Sequence, residues 1–140
     1  MFTRAIQVRF SECDGLGHVN NTQYLNYMED ARMDVFRLFN PSLSLDKWNL
    51  IVASTRCDFL AQVTYAQQLT VSTWIPRIGN ASFSVHHAIQ DEAGDWVARA
   101  EAILIAYDYE AKSAIPIWET ARMALEEHAV GPDGVPDLRM

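Results

Sequence analysis

The chain is predicted to be an α+β protein with one antiparallel sheet packed around one long helix, and three observations predict it. A short segment near the N-terminus alternates apolar and polar residues. A single long run then carries apolar residues three and four apart. From about Leu50 onward β-branched and aromatic residues dominate, broken by the turn sequences "RIGN" and "DEAGD".

Each element follows from its own pattern. In Arg4 to Phe10, residues Ile6, Val8 and Phe10 share one face and Gln7 and Arg9 the other, the period of a strand. The helix is marked by Tyr24, Tyr27, Met28, Ala31, Val35, Leu38 and Phe39, with Leu25 and Phe36 widening the stripe, so it is expected to be largely buried. Asn20 is its expected start, with Gln23 three residues on completing a capping box, and Asn40–Pro41 its stop. Strands are placed at Leu50 to Leu60, Leu69 to Arg77, Ser82 to Gln90 and Trp96 to Tyr107, the turns making them an antiparallel run. A second, short helix follows Pro116 in "PIWETARMALEEH", and the glycine- and proline-rich "GPDGVP" has no core residues. Residues 1–130 are therefore read as one domain and 131–140 as a flexible tail. One sheet face cannot cover so apolar a helix, so a second copy is expected, giving at least a homodimer.

Composition excludes several function classes. A hydrophobic share of 49% with 21% charged residues is that of a folded globular chain, not a disordered one. The net charge of −7 argues against nucleic acid or an anionic membrane as partner, because both demand basic patches. "MFTRAIQVRF" has no apolar run of a secretion signal, and the cytoplasm is the expected location. Cys13 and Cys57 are two thiols without the His or Cys companions of a zinc site, so no metal is expected.

The stretch "ECDGLGHVNNTQYLNYMEDAR" places Asp, His and Asn beside glycines immediately before the buried helix. Cleaving a thioester needs an activated nucleophile and donors for the carbonyl oxygen. A carboxylate at Asp14 and the free N–H groups at the helix start around Asn20 to Thr22 could supply both, while Gly15 and Gly17 let the chain turn tightly and an acyl group approach. The ordinary roles are a turn aspartate, a surface histidine at His18 and core tyrosines at Tyr24 and Tyr27. His86 and His87 are neighbours on a strand, point to opposite faces and cannot chelate one metal together. Glu29 and Arg32, three residues apart, read as a helix surface pair.

The same stretch resembles the D-x-x-G-H-V-N-N-x-x-Y-x-x-Y-x-E-x-A-R signature of hotdog-fold acyl-CoA thioesterases of the 4-hydroxybenzoyl-CoA thioesterase type. "RCDFLAQVTYAQQLTV" and "IPRIGNASFSVHHAI" are similar to that family's later strands, so the resemblance runs from about Arg4 to Pro116. It implies a hotdog fold, a dimer joining two sheets edge to edge or a tetramer made of two dimers, active sites at the subunit interface, and no cofactor beyond the CoA of the substrate. It implies Asp14 as catalytic carboxylate, acting as base or nucleophile, and the Asn21 backbone N–H as oxyanion donor. Some members carry histidine where this chain has Asn21, so a water route assisted by histidine there is not implied. Gly17, His18, Val19, Asn20 and Tyr24 are implied around the thioester, and Arg77 and Ser82 near the CoA phosphates, ahead of Arg56 and Arg122. An acyl-CoA thioesterase is the function implied. A thioesterase for acyl carrier protein, or a module that binds acyl-CoA without turnover, are the alternatives.

Overall fold

The computed structural model describes residues 1–139. It contains strand β1 (Phe2–Gln7), helix α1 (Asn21–Phe39), strands β2 (Leu50–Phe59), β3 (Gln68–Ile78), β4 (Ser82–Gln90) and β5 (Trp96–Asp108), a short β6 (Ser113–Ala114) and helix α2 (Glu119–Glu126). The main strands lie in the order β1-β3-β4-β5-β2, every neighbouring pair antiparallel, with β6 added to β5. Helix α1 packs against both edge strands, β1 and β2, as well as against β3. A flat sheet could not meet one helix at both edges, so the sheet curls around α1, the arrangement of a hotdog fold.

The core divides into two pools along α1. Its first half buries Tyr24, Tyr27, Met28 and Ala31 against Val8, Leu69, Val71 and Ile89. Its second half buries Val35, Phe36 and Phe39 against Ile75, Phe83, Val85, Leu104 and, from α2, Leu125. Fully burying an aliphatic side chain of this kind contributes about 1.5–3 kcal/mol, so this face holds the helix in place. The other face is open: Leu25 is 39% exposed and Glu29 is exposed, so the helix is less completely buried than its apolar stripe suggests.

Four local expectations need correction. The first strand ends at Gln7, and Phe10 begins a one-turn 3-10 helix, Phe10–Glu12, where it is 78% exposed. The turn wins because the Glu12 carboxylate accepts from the Arg9 N–H at 2.8 Å and pulls the chain out of the ladder. The cap of α1 is Asn20 alone: the Gln23 side chain accepts from Asn26, and the Asn20 N–H that a capping box would use donates to the Glu12 carbonyl. Strand β6 was missed, being two residues long. Arg32, read as half of a surface pair, is buried at 7% exposure and forms no ion pair within 4 Å with Glu29 or any other described acid.

Beyond α2 the chain runs back over the sheet face turned away from α1. Arg99 Nε donates to the Pro136 carbonyl at 2.8 Å, and a Cβ added at Gly131 would lie 2.5 Å from the Trp74 ring. His86 is on that face, 2.9 Å from Glu101 and 2.9 Å from Arg99, whereas His87 is fully buried on the α1 side with its Nδ1 2.8 Å from Thr73 Oγ1.

Candidate active site

The loop before α1 is pinched closed by backbone pairing. Cys13 and Val19 form an antiparallel bridge, the Asp14 N–H donates to the His18 carbonyl at 2.8 Å, and the Gly17 N–H donates to the Asp14 carbonyl at 3.1 Å. Gly17 has φ +80°, a left-handed conformation that a Cβ opposes, which is why the turn needs glycine there. One carboxylate oxygen, Asp14 Oδ1, accepts from the Leu16 N–H at 2.8 Å and from the His18 N–H at 3.2 Å. These bonds fix the orientation of the carboxylate and leave Oδ2 without a protein donor among the described residues.

The loop is tied to its surroundings from both sides. Val19 is buried and its N–H donates to the Val63 carbonyl at 2.8 Å, while His18 bridges to Thr64. Glu12 accepts from Arg9 and from the Tyr27 hydroxyl, and its carbonyl accepts from the Asn20 N–H. The loop and the first turn of α1 are thereby held as one unit.

At the start of α1 the N–H groups are unequally used. Asn20 Oδ1 accepts from the Thr22 N–H at 3.0 Å, and the Asn20 carbonyl accepts from the Gln23 N–H at 2.9 Å. The Asn21 N–H, at the positive end of the helix dipole, is left without an acceptor among the described residues.

Asp14 and Asn21 line the same hollow, of about 450 Å³, together with Leu16, His18, Val19, Tyr24 and the segment from Phe59 to Gln62 at the end of β2. The Tyr24 hydroxyl donates to the Ala61 carbonyl at 3.4 Å and its ring meets Phe59 edge-on. Burial first, and then the neighbouring Cys57 thiol, raises the Tyr24 hydroxyl above its ordinary pKa, so it remains a donor rather than a base. A larger hollow of about 660 Å³ opens between β1 and α1, but Arg4 is engaged by Asp34 and the Asp30 carbonyl there, and Tyr27 by Glu12.

Of the residues expected at the site, Asp14, His18, Val19, Asn21 and Tyr24 line the hollow, and Gly17 and Asn20 shape it by turn and cap without lining it. Arg77 and Ser82 are elsewhere. Together with Ile78, Gly79 and Phe83 they line a hollow of about 300 Å³ at the β3–β4 hairpin, whose carbonyls at Gly79 and Asn80 receive Arg122. Phe59 lies opposite Ala98 on β5 and Ser82 opposite Ile105, so the two hollows are about 23 Å apart along the sheet at 3.3 Å per residue. Leu16 and the Phe59–Gln62 segment were not foreseen; Leu16 lies in the loop itself, two residues after Asp14, and Phe59–Gln62 reach the site through the fold.

The fold and the loop–helix arrangement define a hotdog protein with a carboxylate beside a helix N-terminus. Residues 8–125 match the profile of the thioesterase-like superfamily, and the chain belongs to that family of thioester hydrolases. A predicted thioesterase from Bacillus stearothermophilus is similar in structure, with 34% identity, a TM-score of 0.90 and coverage of 94% of this chain and 98% of that one. A Thermus thermophilus thioesterase complexed with coenzyme A and zinc shares 27% identity at a TM-score of 0.79, covering 88% of this chain and 95% of that one. An uncharacterized Bacillus subtilis protein, YsmA, is 27% identical over 114 residues, 81% of this chain and 78% of its own.

Proposed function

We propose that the protein is an acyl-CoA thioesterase in which Asp14 is the catalytic carboxylate and the Asn21 N–H the oxyanion donor. The observation that carries this reading is their meeting in one hollow: a carboxylate oriented through one oxygen, and the α1 N–H left unpaired. The thioester carbonyl oxygen accepts from the Asn21 N–H while its carbon is attacked. Either water attacks and gives its proton to Asp14, or Asp14 Oδ2 attacks and the resulting anhydride is opened by water. In both routes the C–S bond breaks, CoA leaves as a thiolate and takes up a proton, and the acyl group departs as a carboxylate. Side chain, backbone N–H and water suffice for this route, and His18 and Tyr24 wall the space around the reacting carbon.

The site is completed, in this reading, by a second copy of the chain. Strand β2 is an edge strand whose residues 51–56 are all exposed, Ile51 and Val52 among them, and an edge of this length and apolarity invites pairing. Antiparallel pairing of two β2 strands about a two-fold axis brings the Leu50 end of one beside the Phe59 end of the other. The β3–β4 hairpin lies at the Leu50 end, so Arg77 and Ser82 of one copy come to the end of the sheet that carries Asp14 in the other. That pairing offers the CoA phosphates a cation and a hydroxyl across the interface. The similar Thermus thermophilus thioesterase, which is complexed with coenzyme A, supports CoA as the thiol.

Continuous thiol release from a panel of short, long and aromatic acyl-CoAs, beside the same acyl groups on acyl carrier protein, tests the function. Turnover of an acyl-CoA that Asp14→Ala loses about a hundredfold or more supports it. Turnover of the carrier-protein thioesters alone, or binding of acyl-CoA without cleavage, overturns it.

A further inference from the structure

A second hollow, of about 410 Å³, is lined on α1 by Leu25, Glu29, Arg32, Met33 and Phe36 and on β2 by Val52 and Thr55. On α1 its residues follow Asn21 and Tyr24; on β2 they precede Phe59. The hollow that holds Asp14 and Asn21 and this second one share no lining residue and lie one after the other between α1 and the edge strand, from the α1 N-terminus towards Phe36 and Trp48. The walls of the second hollow are apolar except at Glu29, Arg32 and Thr55.

Arg32 is the unusual member. It is 7% exposed, its Nε is buried without a partner, and its guanidinium makes no hydrogen bond or ion pair among the described residues. Asp34 pairs with Arg4 and Arg37, and Glu29, which lines the same hollow, lies beyond 4 Å and acts on Arg32 through its charge alone. The nearby His87 is buried and held neutral, its proton affinity lowered by burial and by the charge of Arg32, so it supplies no negative charge. A guanidinium that is almost wholly buried, with its Nε unpartnered, at the wall of a mainly apolar hollow suits a planar anion, and a carboxylate fits its fork.

We propose that the acyl chain beyond the thioester extends from the first hollow into the second and that Arg32 binds a carboxylate at the far end of that chain. The preferred substrates are then CoA thioesters of dicarboxylic acids. The inference rests on the thioesterase reading for the position of the thioester at Asn21. From there to Arg32 the helix rises about 16 Å, and the arginine side chain leans back towards the N-terminus, which suits an acyl chain of medium length.

Paired substrates and binding measurements test it. Suberoyl-CoA and octanoyl-CoA share a chain length and differ in the terminal carboxylate. The wild type is expected to cleave suberoyl-CoA with the higher kcat/KM, and Arg32→Met to reverse that order by a loss of about ten- to a hundredfold on suberoyl-CoA alone, the size of a lost charged hydrogen bond. Arg32→Lys keeps part of the preference, and Glu29→Gln, at an exposed position, increases it by removing a like charge. Calorimetric titration of both thioesters into Asp14→Asn reads the same discrimination without turnover. A wild type that cleaves other acyl-CoAs but neither of these overturns the proposal and leaves the thioesterase reading standing, whereas one that cleaves no acyl-CoA at all refutes that reading, while selective binding of suberoyl-CoA through Arg32 still supports a carboxylate site. Equal treatment of the two thioesters by wild type and Arg32→Met overturns the proposal. So does an Arg32→Met protein that falls apart into monomers and loses both substrates alike, which assigns Arg32 to the subunit contact.

Discussion

Replacing Asn20 with alanine isolates the device that sets the start of α1. Asn20 Oδ1 accepts from the Thr22 N–H at 3.0 Å and from Thr22 Oγ1 at 2.9 Å, and alanine removes both bonds. Loss of an N-cap of this kind costs about 1 kcal/mol within a range of about 0.5–2. Asn20 is exposed, so water reaches the freed Thr22 N–H and the cost stays near the middle of that range. For a chain of this size the melting temperature then falls by about 4 °C. Thermal unfolding followed by circular dichroism on wild type, Asn20→Ala, Asn20→Ser and Asn20→Asp measures it. Serine and aspartate retain an acceptor and are expected to melt near the parent. An alanine variant as stable as the parent, or serine and aspartate variants as weak as alanine, would refute the capping argument and with it the reason the Asn21 N–H is the one left unpaired.

Two further outcomes follow from the core and the edge. Burial and the charge of Arg32 hold His87 well below its ordinary pKa, so the unfolded chain takes up that proton first as the pH drops. The stability due to neutral His87 is complete above about pH 6.5 and is lost below it, by at most about 1.4 kcal/mol per pH unit. Denaturant midpoints at pH 7.5 and 5.5 should therefore draw together in His87→Gln, leaving the smaller slope of His86 and His128, which burial lowers in the same direction; an unchanged slope contradicts this. Val52→Lys puts a charge on the exposed edge of β2, and light scattering is expected to show a smaller oligomer together with lost thioester cleavage. A variant that keeps its size and its rate removes β2 from the proposed interface.

What the sequence made legible depended on how locally each feature is determined. Strand β4 was read to its exact bounds, Ser82–Gln90, and β2, β3 and β5 to within a residue, because hairpin turns and residue type mark them without distant partners. Phe10 was misplaced because alternation continues past the point where Glu12 captures the Arg9 N–H, and period alone does not show such a capture. Asp14, His18 and Asn21 were found together because loop and helix are contiguous in the chain. Arg77 and Ser82 were assigned to the CoA phosphates, yet which end of a sheet a hairpin occupies is set by strand register, so their distance of about 23 Å from Asp14 within one chain became visible only in the fold. Arg32 sits three residues from Glu29, a spacing that suits a surface pair, and nothing near it in the chain shows that β2 and the buried His87 close over it.

The central claim is that Asp14 performs the chemistry, and steady-state thiol release by Asp14→Asn tests it most directly. The amide keeps a carbonyl oxygen for the Leu16 and His18 N–H groups, so the loop retains its shape while the carboxylate charge is gone. The account predicts a kcat lower by about a hundredfold or more with KM little changed, at an unaltered melting temperature. A variant of parental kcat would place the reaction centre away from the loop before α1.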